Sequence, residues 1–340
     1  MITNFHKIDK HKSFLLIGIG ETNKYLHEIV KPEYLEEAKE IFGSCELVDA
    51  YNIIATDYED ADIFLMNIEN MHDYLNIADI VANYDFSYIV PIDVYLSSSF
   101  LNPLANGKKT YYLQYLMEMC NHTTNTVFLV TDKPASLYED LDVYLDDMNR
   151  VEENFKNVIT TEKEQYSLIF VGNNIPSVNY SNAVLARMIL ASEPNEYPYL
   201  DSNDYYTVFD MDFTDSVGDM AYFKRHTDGS TTIENLLNFG TNNDPLKIFT
   251  IYRIAMYIEK ELDFSDYIGS KYVAYKKEQI KRKVEQYLTS QIDILITDFA
   301  INEVYAKEDE YHPGAIIVVV KYEIAPIGCA ERFITRTLVI

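Results

Sequence analysis

The chain is 340 residues long, room for two or three domains of about 100–200 residues each, and 48% of it is apolar, enough for a packed core. Its formal net charge is −26, from 28 Lys and Arg against 54 Asp and Glu. A field of that sign repels nucleic-acid phosphates and anionic lipid, which argues against a general role in binding either.

Residues 1–12 are polar and basic and read as an N-terminal arm. Ser13 to Gly20 reads as a buried strand that ends at glycines. Pro32 to Phe42 is a predicted helix, begun by Pro and stopped by Gly43. Leu47 to Ala55 is a second helix, Ala61 to Ile68 a strand, Met71 to Ala82 a helix and Phe86 to Ile92 a buried strand. Lys109 to Cys120 is helical, Thr126 to Asp132 a strand, and Leu137 to Asn157 a strongly acidic helix or helix pair. Tyr166 to Gly172 is a further strand and Ser181 to Ala191 a further helix. Short apolar strands alternating with helices of 10–15 residues predict an α/β layer with mixed or parallel pairing. A looser region rich in Asn, Asp, Pro and Gly spans 192–247. Ile248 to Leu262 is a helix with Ile251, Ile254, Ala255 and Ile258 on one face, and Tyr272 to Leu288 another with Val273, Ile280, Val284, Tyr287 and Leu288 on one face.

The end of the chain is unusual. Pro313-Gly314 opens an apolar run in which Ile316, Ile317, Val318, Val319 and Val320 lead on to Pro326. After Gly328, a second β-rich stretch, Arg332, Phe333, Ile334, Thr335, Arg336, Thr337, Leu338, Val339 and Ile340, closes the sequence with no polar tail. Chain ends fray unless something ties them down, and a terminal strand carries unpaired backbone donors and acceptors. Two readings stand: a last strand paired inside its own domain, or a strand donated to a neighbouring subunit.

The charge is unevenly placed. Residues 1–245 hold 15 Lys and Arg against 40 Asp and Glu, a net −25; residues 246–340 hold 13 against 14, a net −1. Lys271, Lys276, Lys277, Lys281, Arg282 and Lys283 form a basic cluster interrupted only by Glu278 and Glu285. It is either a face for an acidic partner or a solvated helix surface. Cys45, Cys120 and Cys329 lie far apart with no metal-type spacing and an odd count, so free or buried thiols in a reducing compartment are expected. There is no signal-peptide core and no apolar run of about 18 residues, so neither secretion nor a transmembrane helix is predicted. Without secretion the sequons Asn121-His122-Thr123 and Asn179-Tyr180-Ser181 carry no meaning. The 29 tyrosines suit contact surfaces, although a coding bias toward Asn, Ile, Lys and Tyr accounts for them as well.

No catalytic, metal or cofactor constellation emerges. Gly18-Ile19-Gly20 after a strand has part of a dinucleotide-binding turn, but Asn23 stands where the third glycine belongs and Glu21 adds negative charge where a pyrophosphate would sit. Asp57, Glu59, Asp60 and Asp62, and Asp210, Asp212, Asp215 and Asp219, are acidic clusters; counted from Asp210, the sixth position of a calcium loop would be Asp215 and the twelfth Ala221, so that pattern fails. The seven histidines include no paired-ligand spacing, and no serine sits in a G-x-S-x-G elbow.

Taken in order, several segments resemble contractile tail sheath proteins of bacteriophages and related injection machines. Ile251 to Lys260 is similar to a sheath helix that opens with an Arg–hydrophobic pair; Pro313 to Val320, Ile324-Ala325-Pro326 and Ala330 to Ile334 resemble the closing hairpin; Leu236 to Asn242, Ala183 to Arg187 and Met119 to Asp132 resemble upstream motifs. The likeness covers about 90–340 well and 13–90 weakly, and the family's Pro-Gly-Val-Tyr-Val-type opening strand is missing. The resemblance implies an arm over 1–12, an outer acidic α/β region over 13–245, an inner tube-facing α+β domain over 246–328 and a C-terminal arm strand over 329–340. It further implies a non-enzymatic subunit without cofactors, forming stacked, sixfold helical rings around a tail tube with baseplate and terminator proteins as further partners, in a virion tail assembled in the host bacterial cytoplasm. Nucleic acid and inserted membrane are not among its partners. In that frame the Arg332–Ile340 strand pairs with Ile316–Val320 of another copy, and the basic helix faces the tube. The alternatives are a sheath-like baseplate or initiator subunit and a soluble nucleotide-binding α/β enzyme using Gly18–Gly20.

Overall fold

The structure is a computed structural model that describes residues 9, 11–58, 61–92, 112–121, 126–131, 142–143, 146, 167–172, 180–200, 221–227, 230–238, 248–267, 274–308 and 316–328. The chain divides into two compact units, Met1–Glu193 with Pro198–Phe249, and Pro194–Tyr197 with Thr250–Ile340.

The first unit is built on a six-stranded sheet. Its strands are β1 (Ser13–Gly18), β2 (Ile29–Val30), β3 (Asp62–Asn67), β4 (Tyr88–Pro91), β5 (Val127–Thr131) and β6 (Leu168–Val171), in the order β2-β3-β1-β4-β5-β6. All neighbours run parallel except β2, which lies antiparallel to β3 at the edge. Every residue of β1 is buried, as expected of a parallel strand covered on both faces. One face, lined by Leu15, Ile17, Phe64, Met66 and Phe128, packs on α3 (Tyr74–Val81) and α4 (Tyr112–Asn121). Alternate residues turn to the other face, where Phe14 stacks on Tyr88 at 4.8 Å between ring centroids. α2 (Glu46–Ala55) and α5 (Ser181–Ala191) pack together and against the sheet, with α1 (Leu35–Phe42) beside α2.

The α/β reading holds, and helix α5 has the bounds read from the sequence. The stretch 192–247 departs from expectation. It contains β7 (Tyr199–Leu200), β8 (Tyr222–Arg225) and β9 (Thr231–Glu234), an antiparallel sheet in the order β7-β9-β8. Its short strands, polar on one face, were hidden by the turn residues around them. This region also finishes the outer edge of β6: Leu168 N–H donates to Asn238 Oδ1 at 2.9 Å, and Val171 and Ala221 form a bridge.

Among its described residues the second unit holds α6 (Phe249–Glu261) from Thr250 onward, a 3-10 turn (Ser265–Tyr267), α7 (Ala274–Ser290) and the antiparallel hairpin of β10 (Ile296–Glu308) and β11 (Ile316–Pro326). Ile254, Ile258 and Leu262 from α6 meet Val284 and Leu288 from α7, with Leu295 and Ile296, over one face of the hairpin. Among the described residues no helix is long and apolar enough to cross a membrane.

Candidate assembly surface

The hairpin is the most unusual element. β10 was not legible as a strand, and two β-bulges explain why. The register shifts at Thr297 and again at Asn302. Each bulge inserts one residue and shifts the alternation by one. Ile296, Phe299, Ile301 and Val304, spaced 3, 2 and 3 apart, therefore all face the helices, opposite Pro326, Ile324, Tyr322 and Val320 of β11. In sequence that spacing matches neither a strand period nor a helix period.

The two halves of the hairpin differ. At its base β11 alternates half-buried Tyr322 and Ile324 with exposed Lys321, Glu323 and Ala325. Toward its tip β11 is apolar on both faces, in Ile316, Ile317, Val318, Val319 and Val320, yet Ile316 is 63% exposed and Ile317 37%. A strand apolar on both faces ordinarily lies inside a sheet. This one belongs to a sheet of two strands, so among the described residues nothing pairs with its outer edge. β10 is more polar at the same level, with Glu303, Lys307 and Glu308 exposed. Lys321 Nζ lies 3.7 Å from Glu303 and 5.2 Å from the Tyr305 ring, and the bulge residue Asn302 donates to Glu323 at 2.8 Å. Charges and bulges of this kind blunt an edge; β11 has no bulge, and no charge between Ile316 and Val320.

Beneath the hairpin, burial, with Glu261 second, pushes the Tyr287 phenol well above its ordinary value. Burial, with Glu259 second, does the same for Tyr322. Both rings stay neutral in the core, and the Tyr287 hydroxyl has no hydrogen-bond partner among the described residues.

The predicted basic cluster is on α7, and the fold splits it. Lys276 Nζ lies 5.1 Å from the Tyr267 ring centroid and 5.8 Å from that of Tyr275. Lys283 Nζ lies 5.7 Å from both Phe264 and Tyr267, and 3.8 Å from the Asp266 carboxylate. Lys277, Lys281 and Arg282 are exposed, and none of the three is in an ion pair with another described residue. Lys271 and the whole stretch Arg332–Ile340 lie outside the described residues, as do the arm 1–8, most of the acidic helix 137–157 and Asp210 to Asp219.

The Gly18–Gly20 turn offers no phosphate cradle. Gly20 N–H is taken by Asn67 Oδ1 at 2.8 Å, and Glu21 N–H by the Phe42 carbonyl at 2.8 Å. The Asn67 amide donates to the Thr22 carbonyl at 2.6 Å. A Cβ at Gly18 would come within 3.1 Å of Ile92 and 3.3 Å of Leu47, so side chains already fill the space beside the strand end. Gly43, at φ 87°, lies so close to Glu21 that a Cβ there would approach its carboxylate to 2.5 Å. The acids are likewise engaged: Asp62 pairs with Lys31, Asp57 lies 3.3 Å from Arg187, and Asp73 lies 3.2 Å from His27. Burial pushes the Cys120 thiol up to about 12, which makes it inert. No group of three potential metal ligands occurs among the described residues.

No family model and no curated protein matches the amino-acid sequence. Solved structures match the fold over nearly the whole chain. A chain of the anti-feeding prophage baseplate, in a sixfold-symmetrised cryo-EM structure, aligns with a TM-score of 0.64 at 9% identity over 98% of this chain and 94% of that one. The sheath complex of an extracellular contractile injection system, PVC, in its contracted state aligns with a TM-score of 0.62 at 10% identity, covering 96% and 91%. The contracted helical sheath of the anti-feeding prophage aligns with a TM-score of 0.55 at 9% identity, covering 96% and 93%. These neighbours are sheath and baseplate structures of contractile injection systems, and the fold of this chain is the fold they share.

Proposed function

We propose that the chain is a structural subunit of a contractile sheath. Copies polymerise as stacked helical rings, sixfold in each ring, around an inner tail tube, and contraction drives the tube through a target envelope. The observation that carries the reading is the tip of β11, apolar on both faces and unpaired at its edge among the described residues. Ile316 to Val320 receive an added strand, and Arg332 to Ile340 of a second copy supply it. A head-to-tail exchange of this kind does not close on itself and so grows a filament. Contraction is then a change between two packings of rigid units tethered by the exchanged strands, with no nucleotide consumed. The basic helix α7 faces the tube, and baseplate and terminator proteins cap the two ends. Assembly takes place in the host bacterial cytoplasm, and the product is a tail.

Deleting Ala330 to Ile340 should leave a folded chain that no longer polymerises. Negative-stain images of wild type and truncation test this: tubes in the wild type and none in the truncation support the reading, while tubes formed by the truncated chain reject it. A second reading, a sheath-like baseplate or initiator subunit, has its support in the baseplate neighbour. Copy number per particle separates the two, since a sheath subunit is present in many rings and an initiator in one.

A further inference from the structure

The basic cluster on α7 looks uniform in sequence and is not uniform in the fold. Two of its side chains are turned inward onto the turn Ser265–Tyr267, where Phe264 and Tyr267 sit with ring centroids 6.5 Å apart. Lys276 and Lys283 are seven residues apart, two helical turns, so they lie on one stripe of α7. Both ammonium groups sit within 6 Å of the same Tyr267 ring. Cation–ring contacts at that distance are attractive, the more so as they are desolvated, and both lysines are half-buried. Lys283 also has Asp266 at 3.8 Å, so its charge is in part answered within the same unit.

Lys277 and Lys281 form a different stripe, one turn apart, with Arg282 beside it. All three are exposed, and none pairs with another described residue. They are the part of the cluster whose field reaches a partner. An exposed arginine next to a lysine pair suits a surface of carboxylates, because guanidinium binds a carboxylate with two parallel hydrogen bonds where ammonium acts as a point charge.

We infer that Lys276 and Lys283, clamped on Phe264 and Tyr267, are positioning residues that fix how α7 presents itself, and that Lys277, Lys281 and Arg282 alone meet an acidic protein surface. This rests on the reading that α7 faces a partner in the assembly. It narrows the contact from six basic residues to three and gives Phe264 and Tyr267 a role that no motif in the sequence announced.

Amine acetylation footprinting with an N-hydroxysuccinimide acetate, read by mass spectrometry on the unmodified full chain, tests both parts. In the isolated chain Lys277 and Lys281 should acetylate at least fivefold faster than Lys276 and Lys283. In particles isolated from producing cells Lys277 and Lys281 should slow by tenfold or more, while Lys276 and Lys283 keep their rates. Tyr267→Phe should preserve the slow pair and Tyr267→Ala should release it, which a purely structural helix would not show. Equal rates for all four lysines in the isolated chain would overturn the positioning role and leave the partner-facing reading of α7 intact. Unchanged rates for Lys277 and Lys281 in the particle would overturn the contact, and that reading with it.

Discussion

At the scale of single residues, two buried charged groups hold the first unit together. Asp73 is 7% exposed, and its carboxylate accepts from Glu69 N–H at 2.7 Å and from Asn70 N–H at 3.3 Å, with His27 beside it. Burial alone would raise its pKa, but those N–H groups and His27 outweigh burial and hold it below the usual 3.8. A carboxyl with a lowered folded-state pKa adds stability at pH values above its unfolded value, and that stability is lost as pH falls through the folded value. Asp73→Asn should therefore cost about 1–3 kcal/mol at pH 7 and progressively less below pH 4, as denaturant titrations at the two pH values would reveal; a constant gap would reject the assignment. Arg187 is 1% exposed and donates to the carbonyls of Ile53 at 3.0 Å and Thr56 at 2.6 Å, closing the C-terminal end of α2. Arg187→Leu should cost about 2–4 kcal/mol by leaving those carbonyls buried and unpaired. Arg187→Lys should recover only part of that, since one ammonium cannot span the same acceptors. By contrast the exposed end of the pair, Asp57→Ala, should cost less than about 1 kcal/mol. Thermal melts of the three variants rank them.

At the scale of elements, the parallel sheet was legible and β10 was not. β1, β3, β4, β5 and β6 are short apolar runs between helical stretches, a signal that needs no tertiary information. β10 keeps its apolar residues on one face only because Thr297 and Asn302 bulge, and a bulge is visible only once the partner strand is known. The three-stranded β7-β9-β8 sheet was hidden for a related reason: its strands have two to four residues. Of the candidate surface, the apolar β11 and the basic run could be read off directly, whereas the inward turn of Lys276 and Lys283 depends on an aromatic pair at Phe264 and Tyr267 that only folding brings beneath them. The bulge at Asn302 can be tested. Strict alternation from Ile301 would turn Val304 outward, and the bulge turns it inward instead, so Val304→Asp places a carboxylate at a position only 2% exposed. The second unit should then lose about 3 kcal/mol or more, seen as an early transition in calorimetry, while Lys307→Asp, at an exposed position of the same strand, should not produce it.

At the scale of the whole molecule, the two units divide the labour. In the first unit β2 covers two residues of the β3 edge, and Asn238 and Ala221 cover part of β6. The second unit leaves an edge of β11 without a partner among the described residues. Net charge divides along the chain in the same way, −25 over residues 1–245 and −1 over 246–340. Association through the nearly neutral part is therefore spared most of the self-repulsion that the acidic part generates. Ile317→Lys with Val319→Lys should abolish polymers in negative stain and leave the melting temperature within about 3 °C of wild type, since both positions lie on the outer face of the hairpin. A collapse of the melt would show instead that these side chains belong to the subunit's own core.

A ribbon anchored at its base and oily at its far end has a consequence for the protein before it finds its place. Newly made molecules would carry a small adhesive spot in a crowded cell, and five aliphatic side chains set how concentrated they can become before clumping. The surplus of carboxylates elsewhere in the chain works against this, keeping molecules apart by long-range repulsion that weakens as salt rises. Ionic strength would then act as a throttle on growth: dilute buffer holds the pool in reserve, and added salt lets elongation begin.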